Sequence, residues 1–257
     1  MRLSIVIPAY NEANRLGPSL DQYLSYFVPR YGTDMEIIVV VNGSRDNTEA
    51  VARSFMEKNP QVKVLVEPRA IGKGGAVMLG FAAARGDLIG FVDADASTPP
   101  DAFDDLARNI GTAGAIIASR WFPESRVYPP QTLKRRVASR IFNFFVRLFF
   151  KVKIKDTQCG AKVLTRAAVQ AVLPTVGITR WAFDVDLLFK LRRAGYAIVE
   201  WPTIWHDRGG SQLKVGRASL EMFVAIVRLR LLYSPLRFIV DIYDVSLGRW
   251  THRDSRA

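Results

Sequence analysis

Leu3-Ser-Ile-Val-Ile-Pro-Ala-Tyr-Asn-Glu12 is a short, β-branched apolar run that ends by delivering a proline, an aromatic ring and a carboxylate. Such a run reads as a strand covered on both faces, with its functional side chains at the carboxyl end. The same design recurs at Glu36 to Val41, Val62 to Val66, Leu88 to Val92 and Ala115 to Ala118. Helical stretches near 14–28, 47–57, 73–84 and 101–109 separate these runs. Strand and helix in alternation predict an α/β fold with a mostly parallel sheet flanked by helices, so binding residues should gather at the carboxyl ends of strands.

Beyond residue 120 the pattern loosens. A proline-containing loop, Phe122 to Pro130, leads to a basic and aromatic helix over 132–150, a strand and helix at 160–173, and a helix at 181–194. A short strand pair at 197–200 and 203–206, a Gly209-Gly210 turn and a helix from Leu213 to Tyr233, ended by Pro235, complete the reading. A polar tail covers 247–257. Residues 1–212 form the expected main domain, including a basic helix at 132–151, and 213–257 an amphipathic helical extension.

With 257 residues, 49% hydrophobic and 23% charged, the chain can bury a full core, which excludes a disordered tail or a disulfide mini-protein. Cys159 is the only cysteine, so no intramolecular disulfide can form and a reducing compartment is expected. The first apolar run is too short for a signal peptide, and nowhere do about 18 apolar residues run together as a membrane span needs. The net charge of +12 is unevenly spread: residues 1–125 hold 12 Lys/Arg against 15 Asp/Glu, and the rest 24 against 9. Between Arg126 and Lys155 there are nine basic residues and no acid, a field that draws an anionic partner. Nucleic acid, anionic lipid and a phosphorylated substrate all meet that description.

Chemistry-bearing residues follow the strands. Pro8, Tyr10 and Glu12 can stack a base and accept its N–H groups, although a strand-ending turn would use the same residues. After the second strand, Asn42-Gly-Ser-Arg-Asp46 precedes a helix that Asp46 or Asn47 could cap. Gly72-Lys73-Gly74-Gly75 opens another helix, where backbone N–H groups and a lysine favour a phosphate; its spacing is not that of a P-loop. Asp93-Ala94-Asp95 places two carboxylates one residue apart just past an apolar strand, where a Mg²⁺ or Mn²⁺ completed by substrate phosphates would relieve their repulsion. Asp184 and Asp186, just after Arg180-Trp181 at the start of a helix, either cap it or face a substrate, one of them as a base. His206 and His252 are too few for a histidine metal cluster.

Taken in order, Pro8 to Glu12, Asn42 to Asp46, Gly72 to Gly75 and Asp93 to Asp95 resemble the family 2 glycosyltransferases. Asp156-Thr-Gln-Cys-Gly-Ala-Lys162 and Arg180-Trp-Ala-Phe-Asp-Val-Asp-Leu-Leu188 are similar to the dolichyl-phosphate glucosyltransferases, more than to the mannosyltransferases. The resemblance implies the GT-A fold, a Rossmann-like sheet flanked by helices, and a nucleotide-sugar donor. It places Pro8, Tyr10, Glu12, Asn42, Asp46, Lys73, Asp93, Ala94 and Asp95 about that donor, with Asp93 and Asp95 on Mg²⁺ or Mn²⁺. It assigns Arg120, Arg135, Ser139 and Arg208 to the acceptor phosphate and leaves Asp184 as a catalytic candidate beside Asp95. Ser97 stands where a mannosyltransferase has a glutamine metal ligand, and Asn42 where the family usually has aspartate.

The function implied is inverting transfer of a hexose, first of all from UDP-glucose, to a polyprenyl phosphate on the cytoplasmic face of a membrane. GDP-mannose, UDP-galactose or a UDP-uronic acid as donor, or another glycolipid acceptor, are the nearer alternatives. A nucleotidyltransferase would want a glycine-rich loop after the first strand, and a nucleic-acid-binding protein has no recognition motif here. The basic helix carries Lys134, Arg135, Arg136, Arg140, Arg147 and Lys151 beside Phe142, Phe144, Phe145, Phe149 and Phe150. Peripheral contact with anionic lipid follows from that composition, with Phe145 and Phe149 expected to enter the acyl region.

Overall fold

The computed structural model describes residues 2–176, 182–207, 215–238 and 240. Arg180, Trp181, Gly209, Gly210 and the tail 247–257 fall outside the described residues, as do His252 and Arg208. β1 (Leu3–Ala9), β2 (Met35–Asn42), β3 (Val62–Glu67) and β4 (Leu88–Phe91) alternate with α1 (Ala13–Tyr31), α2 (Thr48–Lys58) and α3 (Gly72–Ala83). Next come α4 (Pro100–Asn109), β5 (Ala115–Ser119), β6 (Arg126–Tyr128), α5 (Leu133–Phe150), β7 (Lys162–Thr165) and α6 (Arg166–Val172). The described elements end with α7 (Phe183–Arg193), β8 (Ile198–Pro202), β9 (Ile204–His206) and α8 (Val215–Leu232).

One sheet runs β3-β2-β1-β4-β7-β5-β8. All its pairings are parallel except those of β7, which runs antiparallel between β4 and β5. Strand order reverses beside β1, and in such sheets the crevice outside the carboxyl ends receives the ligand. Register brings those ends together: Ala9 pairs with Val41, Asn42 with Glu67, and Val6 with Phe91. The residues just past β1, β2 and β4 therefore emerge from one edge.

Apolar side chains fill both faces of the sheet. On one, Leu16, Leu20, Tyr23 and Phe27 of α1 meet Phe103 and Leu106 of α4; on the other, Val77 and Phe81 of α3 join Val169 of α6 and Leu187 of α7. The Phe27 and Phe103 rings lie 6.2 Å apart, edge to face. Truncating Phe103 to alanine in so closed a core costs about 3–5 kcal/mol. β3 departs from the expectation of burial on both faces. It is the sheet edge, and Val66 is exposed there.

Two further corrections concern the second half. The runs at 197–200 and 203–206 do not pair with each other: β8 adds to β5, while β9 pairs in parallel with β6, a strand inside the loop Phe122 to Pro130. Both find earlier partners already in place, so no hairpin is needed. Helix α5 buries Phe142, Val146 and Phe150 in the core, and Phe145 and Phe149 are half-buried rather than free for lipid. Phe145 meets Phe223 of α8 at 5.0 Å. The apolar residues α5 leaves exposed are Leu133, Val137, Ile141, Phe144 and Leu148. Their three- and four-residue spacing puts them on a single face.

Candidate active site

The loops after β1 and β2 are stitched together by side chains. Asn11, at φ +53°, donates its N–H to Ser44 Oγ at 3.1 Å and accepts from the Arg45 N–H at 2.8 Å. Glu12 N–H donates to Thr48 Oγ1 at 2.8 Å, and Asp46 accepts from the Ala13 N–H at 3.1 Å and from the Thr48 N–H at 3.0 Å. Tyr10, half exposed beside this frame, is left free to stack on a planar ligand. The Glu12 carboxyl is raised from its ordinary value by burial, against the pull of its partner Arg15 at 2.5 Å. Asn42 differs from its expected role: it is buried, and its Oδ1 accepts the Ile71 N–H at 2.8 Å, clamping the turn before α3. Gly43, at φ +64°, could not carry a Cβ, which would fall 2.6 Å from the Ala70 nitrogen.

At the end of β4 the acidic motif meets a lysine. Lys73, on the first turn of α3, reaches Asp93 Oδ1 at 2.5 Å. Burial lowers the Lys73 pKa, but Asp93 and Asp184 outweigh it and hold the ammonium protonated. The Asp93 carboxyl is pushed up by the protein packed round it and by Asp95 and Asp184, against Lys73. Asp95 Oδ1 accepts the Ser97 N–H at 2.9 Å. Gly160 presses on this cluster so closely that a Cβ would lie 2.0 Å from Asp93 Oδ2, which explains a glycine in the motif Asp156 to Lys162. Gly74 likewise packs on Phe183, drawing the first turns of α3 and α7 together.

Neither Asp184 nor Asp186 caps its helix. Asp184 accepts from Lys162 Nζ at 2.6 Å, and the fully buried Asp186 accepts from Tyr233 Oη at 2.5 Å. Lys162 was not singled out by sequence reading as a site residue; its place in an otherwise apolar strand was the available signal.

Of the expected arginines, Arg120 is committed to a neighbouring carboxylate. Arg120 closes its fork on the fully buried Asp156, through Nε at 2.8 Å and Nη2 at 2.9 Å, and its guanidinium lies 5.0 Å over the Trp205 ring. This two-pronged pair makes Arg120 part of the frame beside the motif Asp156 to Lys162. Burial alone would raise Asp156, yet Arg120 holds it below the usual carboxylate range. Arg135, on the first turn of α5, is more exposed and meets Asp207 at 2.6 Å. Ser139 lies one turn further along α5. Asn143 of α5 accepts from the Thr157 N–H at 3.2 Å and hydroxyl at 2.9 Å, tying this helix to the motif under Asp93.

For a divalent cation the donor set is two hard carboxylates, Asp93 and Asp95, past one strand end. Among the described residues no group of three His, Cys, Asp or Glu side chains is placed to hold a metal. Two carboxylates suit Mg²⁺ or Mn²⁺, which keep water and substrate phosphates as their other ligands. His206, whose backbone N–H donates to the Ser97 carbonyl at 2.7 Å, stacks its ring on Tyr128.

Comparison with known proteins agrees with this fold. The family model described as Glycosyl transferase family 2 matches residues 4–173. The dolichyl-phosphate beta-glucosyltransferase ALG5C of Trichomonas vaginalis is 33% identical over 98% of this chain and 74% of its own length. Those of Dictyostelium discoideum and Homo sapiens are 34% and 33% identical, over 95% and 90% of this chain and 76% of each relative. Among solved structures, glucosyl-3-phosphoglycerate synthase from Mycobacterium tuberculosis with uridine diphosphate aligns at TM-score 0.64 and 20% identity, over 90% of this chain and 79% of that one. The mannosyltransferase PcManGT from Pyrobaculum calidifontis, with GDP-Man and Mn²⁺, aligns at TM-score 0.64 and 19% identity, over 97% and 71%. The sheet and its flanking helices are those of the GT-A fold, and the chain belongs to glycosyl transferase family 2.

Proposed function

We propose that this enzyme transfers glucose from UDP-glucose to dolichyl or another polyprenyl phosphate at a membrane surface, with inversion at the anomeric carbon. The carrying observation is identity to dolichyl-phosphate beta-glucosyltransferases over nearly the whole chain, basic half included.

In this reading Pro8, Tyr10, Glu12 and Asp46 receive the base and ribose, and Lys73 shifts from Asp93 toward the diphosphate. Asp93 and Asp95 would hold Mg²⁺ or Mn²⁺, which neutralises the leaving diphosphate when bound. Ala94 spaces the two carboxylates, and Asp184 faces the sugar. The acceptor phosphate is already an anion at neutral pH, so it needs positioning and charge neutralisation rather than a general base. Arg135, Ser139 and Arg208 supply that grip. Residues 1–212 carry the catalysis in this account, and the extension from 213 serves membrane attachment. The exposed apolar stripe of α5, among the exposed Lys134, Arg136, Arg140, Arg147 and Lys151, rests on an anionic leaflet, the cytoplasmic one. No helix among the described residues is long and apolar enough to cross a membrane.

The test offers radiolabelled UDP-glucose, UDP-galactose and GDP-mannose in turn, with polyprenyl phosphate and Mg²⁺, and asks which label enters the organic phase. Only glucose is expected there. Mannose or galactose label alone would overturn the donor assignment.

A further inference from the structure

Lys162 is fully buried, a rare state for a lysine, and its backbone pairs with Phe91 on β4 and Ile117 on β5 at the start of β7. Its ammonium bonds Asp184 Oδ1 at 2.6 Å and the Cys159 carbonyl at 2.7 Å. It also lies 5.2 Å over the Phe91 ring, and Lys73 lies 5.4 Å over the same ring. Two ion pairs, Lys73 with Asp93 and Lys162 with Asp184, thus surround one aromatic side chain at the strand ends. The charged groups facing Asp184 are Lys162 from β7, with Lys73 from α3 and Asp93 from the end of β4 near enough to act on it. A buried ammonium is held there only at the expense of its hydration, which a close carboxylate and a carbonyl offset.

We infer that Lys162 is a positioning residue for the donor sugar, acting through Asp184. The inference rests on the donor half of the proposed function. By occupying Oδ1, Lys162 fixes the carboxylate as a charged acceptor, and no described residue bonds Oδ2. Asp184 neighbours the pair Lys73 and Asp93 assigned to the diphosphate, and the hexose is the group joined to that diphosphate. Oδ2 accepts a hydrogen bond from one of its hydroxyls. Lys73 serves the phosphates and Lys162 the sugar, so two lysines on one ring divide the donor between them.

The test is a double-mutant cycle read in binding rather than turnover. Wild type, Asp184→Asn, Lys162→Met and the double variant are titrated calorimetrically with UDP-glucose and, as the sugar-free control, UDP, in Mg²⁺. Each single variant is expected to lose about 10- to 100-fold in UDP-glucose affinity, the range of one hydrogen bond to a charged group, with UDP affinity nearly unchanged. The double variant is expected to match Asp184→Asn alone. Parallel loss of UDP and UDP-glucose would show a merely structural lysine and overturn the inference. So would a double variant weaker than Asp184→Asn by the full Lys162→Met factor, or an Asp184→Asn protein that keeps its UDP-glucose affinity. Should Lys162→Met fail to fold, the comparison of Asp184→Asn with the double variant decides, since both lack the unpaired buried anion. A wild type that does not bind UDP-glucose sinks the donor reading and the inference with it. A wild type that binds it but labels no lipid sinks only the acceptor reading.

Discussion

Replacing Gly160 by alanine tests how the acidic strand end is held. The added Cβ would lie 2.0 Å from Asp93 Oδ2, and contacts below 3.0 Å are not tolerated, so the carboxylate must retreat by about 1 Å or more. Asp93 is also held by Lys73 at 2.5 Å, so the retreat strains or breaks that pair. A misplacement of about 1 Å at a reacting centre costs on the order of 100-fold in rate. The side-chain end can swing toward the cleft without moving the backbone, and melting temperature is expected to change by only a few degrees. Transfer kinetics over a Mg²⁺ titration, alongside thermal melting, checks both halves: kcat down about 100-fold, a higher Mg²⁺ requirement, and a folded protein. A Gly160→Ala enzyme with wild-type kcat and Mg²⁺ dependence would refute the claim that Asp93 must sit where Gly160 lets it.

Other perturbations separate the remaining roles. In the proposed acceptor site, Arg135→Ala is expected to remove a charge-assisted contact worth about 1.5–3 kcal/mol, raising acceptor KM about 10- to 100-fold and leaving donor KM unmoved; lysine there is expected to rescue only in part. Leu133, Phe144 and Leu148 changed together to serine are expected to make flotation with anionic liposomes fully salt-reversible, whereas Phe145→Ser, in the α8 contact, lowers the melting temperature instead. Asp156 has a folded pKa below its unfolded value near about 4, so its contribution is present above that pH and is lost as pH falls through the folded value. Asp156→Asn flattens that acid limb of the melting temperature, while lowering stability at neutral pH by about 3–5 kcal/mol for stranding the buried Arg120.

The first half of the fold was legible because the strands between Leu3 and Ser119 are short apolar runs set apart by helical stretches. Local pattern and final structure agree there, apart from the exposed Val66 on β3. The second half depends on partners remote in sequence, which pattern does not report. Nothing in Ile198 to His206 says that these strands pair with β5 and β6 rather than with each other. The acidic strand end was legible from Asp93 and Asp95 alone, since two adjacent carboxylates past an apolar run need an explanation. What Asn42 and Arg120 do was not, because a polar residue at a strand end reads the same whether it binds a ligand or pairs with a buried neighbour. Phe145 and Phe149 misled for a related reason: composition gives the apolar content of α5 but not which face α8 covers.

The central claim meets its most direct test in one product analysis. Purified chain is incubated with UDP-glucose labelled at the anomeric carbon, dolichyl phosphate and Mg²⁺, and the lipid product is examined by NMR at that carbon. The account predicts a β-linked glucosyl phosphate on the lipid, no product in EDTA, and none from Asp95→Asn. An α-linked product, or undiminished transfer by Asp95→Asn in EDTA, would contradict it.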